Sequence, residues 1–220
     1  MVIMRKVLLV EGGIYHIFTK SIAGFEIFKK TADYERMRGL LKYYQVENLP
    51  LKFSVFMELN DKESYYQKHF SGKEKLVEII TYCLMPTHLH LVLKQLKANG
   101  ISTFIGNVLN GYTRYFNVKY GRKGPLWESR FKNVAVSTDE QLLHLTRYLH
   151  LNPATAGLVE EPEDWKFSSF REYVGKTQKE ENLCDYFDHI EIDPKVYREF
   201  VCSRKDYQRE LAKIKDLCFE

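Results

Sequence analysis

Two short patterns hold the side chains best suited to chemistry. His88-Leu89-His90 lies in the alternating run HLHLVLK. In an extended strand, side chains at i and i+2 point to one face, so both imidazoles project together while Leu89 turns away. Two imidazoles so placed begin a metal site, and they fit the solvated face of a hairpin equally well. Tyr148 and Asn152 stand four apart near the end of a helical stretch and share a face of it. A tyrosine there either packs into a core or serves as a nucleophile. An asparagine before Pro153 either stops the helix or binds a ligand.

A third pattern interleaves rings with cations between Asn110 and Lys132: Tyr112, Arg114, Tyr115, Phe116, Lys119, Tyr120, Arg122, Lys123, Trp127, Arg130, Phe131 and Lys132. Aromatic faces stack on unpaired bases and cations follow phosphates. The same composition describes an amphipathic helix with a solvated charged side, and its spacing sends Tyr112 and Phe116 toward the core. The remaining histidines carry less. His144 precedes Tyr148 by one turn, His150 falls on another face, and His16, His69 and His189 have no partner in sequence. Glu160, Glu161, Glu163 and Asp164 read as solvated loop.

These patterns need elements to hold them. After Gly12-Gly13, IYHIFTK (14–20) reads as a strand, and Thr31 with Asp33 opens a helix to about Gln45. Residues 46–75 read as short helices and loop. LVEIITYCL (76–84) is a central strand, and Met85-Pro86-Thr87 turns it into the histidine strand 88–94 as a hairpin. Ser102 or Thr103 caps a helix to about Tyr120. FKNVAV (131–136) is another strand, and Ser137-Thr138-Asp139-Glu140 starts a helix that Asn152-Pro153 stops after Leu151. WKFSSFREYV holds a short helix, and the tail from Lys176 is charged and helix-prone. The order implies an α+β, ferredoxin-like split β-α-β antiparallel sheet with helices on one face, leaving the other free for a ligand. Residues 1–175 form the expected main domain and 176–220 a helical appendage.

The 220 residues suffice for one packed domain, and 45% hydrophobic content excludes a disordered chain. A net charge of +4 names no partner, but its distribution is uneven. Residues 101–136 hold six Lys/Arg against Glu128 alone, whereas 176–220 hold nine basic and eleven acidic residues, so a polyanion belongs at the middle of the chain. Cys83, Cys184, Cys202 and Cys218 form no C-x-x-C pair and read as reduced thiols. The apolar start lacks an export cleavage site, and no apolar run reaches a membrane span of roughly 20 residues. A cytoplasmic, nucleoid-associated protein is expected.

Four segments in order carry a family resemblance: YHIFTK, CLMPTHLHLVLK, GYTRYFNVKYGRKGPLWESRFKNVAV and LLHLTRYLHLNPATAGLVEEPEDWKFSSFREYV. Over Gly12 to Gly175 the chain resembles the REP-associated tyrosine transposases and the related single-strand HUH insertion-sequence transposases. The resemblance implies that residues 1–175 are a catalytic domain, with a metal site of His88, His90 and Asn152 for Mg²⁺ or Mn²⁺, and Tyr148 as nucleophile in the pattern Tyr-x-x-x-Asn-Pro. It implies cleavage and rejoining of single-stranded DNA near hairpins through a 5′-phosphotyrosine, by a monomer or a homodimer. Tyr112, Arg114, Tyr115, Lys119, Arg122, Lys123, Trp127, Arg130 and Lys132 are then the expected DNA contacts. Lys20-Ser21-Ile22 stands where the family often has Arg-Gly-Asn, residues 46–75 exceed compact relatives, and the tail lies outside the resemblance. Two other readings use the same residues: a domesticated, non-catalytic nucleic-acid-binding protein, and a histidine-metal hydrolase acting through water.

Overall fold

The computed structural model describes residues 8–178 and 182–207. Cys218, the first seven residues and the end of the charged tail fall outside them. β1 (Ile14–Lys20), β2 (Val77–Met85), β3 (His88–Gln95) and β4 (Lys132–Val136) form one antiparallel sheet in the order β2-β3-β1-β4. β3 splits β1 from β2, and β1 splits β3 from β4, which is the ferredoxin-like arrangement the sequence implied. The helices are α1 (Thr31–Tyr43), α2 (Phe53–Met57), α3 (Lys62–Phe70), α4 (Gly100–Lys119), α5 (Asp139–Thr155), α6 (Phe170–Tyr173) and α7 (Pro194–Cys202). None of the described helices is long and apolar enough to cross a membrane.

Register assigns the two sheet faces. Tyr82 pairs with Leu91, and Ile17 pairs with Leu91 from the other side. That face is sealed, with Ile17, Leu91 and Leu93 at 0% exposure. α1 covers it, since Arg38 reaches the Tyr82 hydroxyl, and α4 packs beside α1 and onto β3. Each large apolar side chain buried there contributes about 1.5–3 kcal/mol. The opposite face carries Thr81, Cys83, His88, His90, His16 and Phe18. α5 lies over its β2 side, where His150 meets Thr81, and the β1–β4 side stays open.

Two helix boundaries differ from expectation. α4 begins at Gly100, ahead of Ser102 and Thr103, because the Gln95 side chain accepts from Ile101 N and caps the first turn. Gly100 is required there, since a Cβ would collide with the Leu76 carbonyl oxygen. α5 does not stop at Leu151 but runs through Pro153 to Thr155. Pro153 removes only one N–H near the helix end, so the last turn survives it. The true stop is Gly157 at φ +69°, with Gly157 N donating to Ala154 O (3.2 Å) and Leu158 N to Pro153 O (3.0 Å). The start of α5 is as read: Thr138 accepts from Gln141 N at its N-terminus.

The free edge of β2 is covered. Leu84 N donates to Phe167 O, Ser169 N to Tyr82 O and Asp185 N to Ile79 O, so the chain after α5 folds back along the sheet. Residues 182–202 continue that cover, with Leu183, Cys184, Tyr186, Ile190, Tyr197 and Val201 buried in the common core. The Glu172 carboxylate accepts from Leu183 N (3.0 Å) and Cys184 N (2.9 Å), which fixes their path. Cys83, Cys184 and Cys202 are free thiols.

Candidate active site

His88 and His90 project from β3 with ring centroids 5.0 Å apart and planes at 87°. The Thr87 hydroxyl lies 2.9 Å from His88 Nδ1, and His16 Nε2 lies 3.0 Å from His90 Nδ1. Each ring is thus held through Nδ1, and among the described residues neither Nε2 has a hydrogen-bond partner. This is how metal-binding histidines are oriented, one nitrogen held and the other presented.

Burial keeps these imidazoles neutral. It pushes His90 down to about 3, assisted by the neighbouring His16 and His88, and pushes His16 down to about 4. His88 is lowered by burial and by the Lys20 ammonium. Neutral imidazole is the form that ligates a cation. Among the described residues no group of three or more His, Cys, Asp or Glu forms a metal cage. The donor set therefore fits an ion only if an amide, water or substrate oxygen completes it.

α5 supplies the other two residues. The Tyr148 ring meets the His90 ring edge-on, centroids 6.5 Å apart, within a single chain. Tyr148 is 44% exposed. Burial of the rest of the ring and the nearby Cys83 raise its pKa above the usual phenol value. Asn152 follows one turn later on the same side of α5, half-buried.

The ring-and-cation segment does not form one surface. Tyr112 is fully buried, its hydroxyl donating to Ile27 O at 2.6 Å, so it is a core residue and not a platform for a base. Tyr115 and Lys119 both bind Asp33 Oδ1, at 2.9 and 2.6 Å. Arg122 donates to Pro125 O (2.7 Å), and Trp127 Nε1 to Thr113 Oγ1 (3.1 Å). Arg114, Tyr115 and Lys119 border a cleft of about 960 Å³ between α4 and residues 46–54, on the α1–α4 side and away from the histidines. Lys123, Arg130 and Lys132 are exposed. Of the nine, Lys132 shares the histidine face, paired with Phe18 across β1 and β4. Tyr112, Arg114, Tyr115 and Lys119 ride on α4, whereas Arg122, Lys123, Trp127, Arg130 and Lys132 lie in the loop and strand after it, so no single helix face collects them.

Three site residues were not expected. His16, Phe18 and Lys20 alternate along β1 and face the same side as His88 and His90, since Phe18 pairs with His90 and Lys20 with His88. The alternation of IYHIFTK was visible in sequence, but the register that brings His16 to His90 was not.

Residues 53–152 match the family model described as "Transposase IS200 like". A putative REP-associated tyrosine transposase of Haemophilus influenzae is 31% identical over 109 residues, 44% of this chain and 61% of that protein. The REP-associated tyrosine transposase of Escherichia coli is 23% identical over 105 residues, 47% of this chain and 61% of that protein. The chain thus spans about 61% of the length of the curated relatives it matches. A solved REP-associated tyrosine transposase bound to a REP hairpin shares the fold, with TM-score 0.51 and 17% identity over 86% of this chain and 98% of that one. Over residues 53–152 the chain is thus similar to the IS200-like transposases, and its fold is that of the solved REP-associated tyrosine transposase.

Proposed function

We propose that this protein is a metal-dependent single-stranded DNA transposase that cuts and rejoins strands beside hairpins through a 5′-phosphotyrosine at Tyr148. The observation that carries this reading is the edge-on approach of Tyr148 to His90 within one chain, beside two histidines whose Nε2 atoms are unengaged among the described residues. His88 and His90 would hold the ion, with the Asn152 amide as third donor. Bound there, Mg²⁺ or Mn²⁺ would neutralise charge growing on the scissile phosphate.

The chain's own residues do the rest. Tyr148 Oη attacks phosphorus, a P–O bond to tyrosine forms, and the P–O3′ bond breaks. The phenolic proton is balanced by the one gained on the departing 3′-OH. Since burial raises the Tyr148 pKa, the phenol is protonated before attack and loses its proton only as the new bond forms. The linkage conserves phosphodiester energy, so a second 3′-OH reverses the step without ATP. One chain brings together tyrosine and histidines, so a monomer suffices. Lys20 and Lys132 flank the open side of the histidine face and would contact phosphates there, while Arg114 would hold DNA along the separate α4 cleft. The hairpin partner is supported by the solved relative bound to a REP hairpin.

The test is a hairpin oligonucleotide with a single-stranded flank, labelled 3′ of the cut, incubated with Mn²⁺ or Mg²⁺. Wild type gives a covalent protein–DNA adduct and Tyr148→Phe gives none. An equal adduct from Tyr148→Phe, or none from wild type, overturns the assignment.

A further inference from the structure

We infer that His16 is a positioning residue that sets the tautomer of His90, so that His90 Nε2 is presented as a bare lone pair. This rests on the reading of His88 and His90 as metal ligands. A neutral imidazole carries one proton, and the nitrogen that binds a cation must be the unprotonated one. With Nε2 of His90 as ligand, its proton sits on Nδ1 and needs an acceptor. His16 Nε2 stands 3.0 Å from that atom. Its own proton then resides on His16 Nδ1.

The framework makes this contact specific. His16 pairs with Val92 while Phe18 pairs with His90, so His16 approaches His90 diagonally across the β1–β3 ladder. The two rings lie 5.2 Å apart at 22°, and Phe18 flanks both, at 4.9 Å from His16 and 6.0 Å from His90. Stacking holds the rings where their nitrogens meet. His88 is served differently, by the hydroxyl of the preceding Thr87. One ligand is therefore oriented by its own turn and the other by a separate strand. A one-residue slip of β1 would move His16 to the sealed face and leave His90 unoriented.

The experiment uses the full chain. Imidazole ¹⁵N shifts of the metal-free protein report the His90 tautomer, and titration with Mn²⁺ reports affinity. Wild type holds His90 protonated on Nδ1. His16→Ala mixes the tautomers and weakens Mn²⁺ binding about 10–100-fold. His16→Gln, whose amide oxygen replaces the acceptor, recovers most of that loss. An unchanged His90 tautomer in His16→Ala overturns the inference. So does loss of Mn²⁺ binding in His16→Gln as complete as in His90→Ala, which would make His16 itself a ligand. If wild type binds no Mn²⁺ at all, the metal reading fails, while the tautomer measurement still decides the role of His16.

Discussion

Two histidine centres lie on the same side of this sheet, and they end differently. His90 and His150 are both driven down to about 3 by burial. His150, on α5, has both nitrogens filled: Nδ1 by the Tyr197 hydroxyl at 2.7 Å, and Nε2 by Thr81 Oγ1 at 2.9 Å and Ser169 Oγ at 2.8 Å. The Tyr197 hydroxyl donates on to Thr146 at 2.9 Å. That closed centre ties α5 to β2, to residue 169 and to α7. His90 has one nitrogen filled and one presented. Depressed basicity is therefore common to both, and what separates a structural histidine from a candidate ligand is the nitrogen left over. The closed centre also serves the open one, because His150 sits two residues from Tyr148 and holds its helix in place.

Substitutions at the two centres should separate them. The largest effect expected is at the open one. His90→Ala abolishes metal-dependent adduct formation while shifting the urea midpoint little; a variant that still forms adduct would erase the distinction. At the closed one, His150→Ala leaves three hydroxyls short of a partner and opens a void, lowering unfolding free energy by about 3 kcal/mol or more. Urea denaturation measures this, and a loss below about 1 kcal/mol would show the network is not what seats α5.

Acid should act through the same residues. The folded pKa of His150, about 3, lies below its unfolded value of 6.5, so the folded state refuses a proton the unfolded state accepts. Its contribution is complete above pH 6.5 and is lost as pH falls toward 3, with a slope of up to about 1.4 kcal/mol per pH unit. His90 and His16 add in the same direction. Replacing His150 with Gln should flatten the stability–pH curve in that window, and an unchanged curve would assign the acid sensitivity elsewhere. Tyr197→Phe removes a single hydroxyl and should cost about 1–2 kcal/mol, with faster hydrogen exchange along α5 as the check. The smallest effect belongs to the exposed Lys20–Glu128 pair at 3.2 Å. Glu128→Gln should change stability by no more than about 0.5 kcal/mol, and a larger loss would mean that this pair shapes the site.

Much of the architecture was legible. IYHIFTK became β1 with the expected bounds, and the Met85-Pro86-Thr87 turn delivered the β2–β3 hairpin. The His88–Leu89–His90 alternation put both rings on one face, as period two demands. The start of α4 and the end of α5 were misread because the Gln95 side chain just upstream and a glycine after the proline outcompeted the signals read in sequence. In the ring-and-cation segment, composition shows rings and cations but not which have partners within the fold, and Asp33 takes up Tyr115 and Lys119 from 82 and 86 positions away.

By itself the sequence determined the elements, the sheet order and the pairing of two imidazoles, because these follow from local period and short connections. Only the tertiary structure decided that Tyr148 faces His90, that His16 Nε2 meets His90 Nδ1, and that Tyr197 ties the tyrosine helix to the chain's far end. Those contacts join residues 47 to 74 positions apart or depend on helix-to-sheet docking. No local pattern encodes such distances; they are set when the strands pair and the apolar faces close over them.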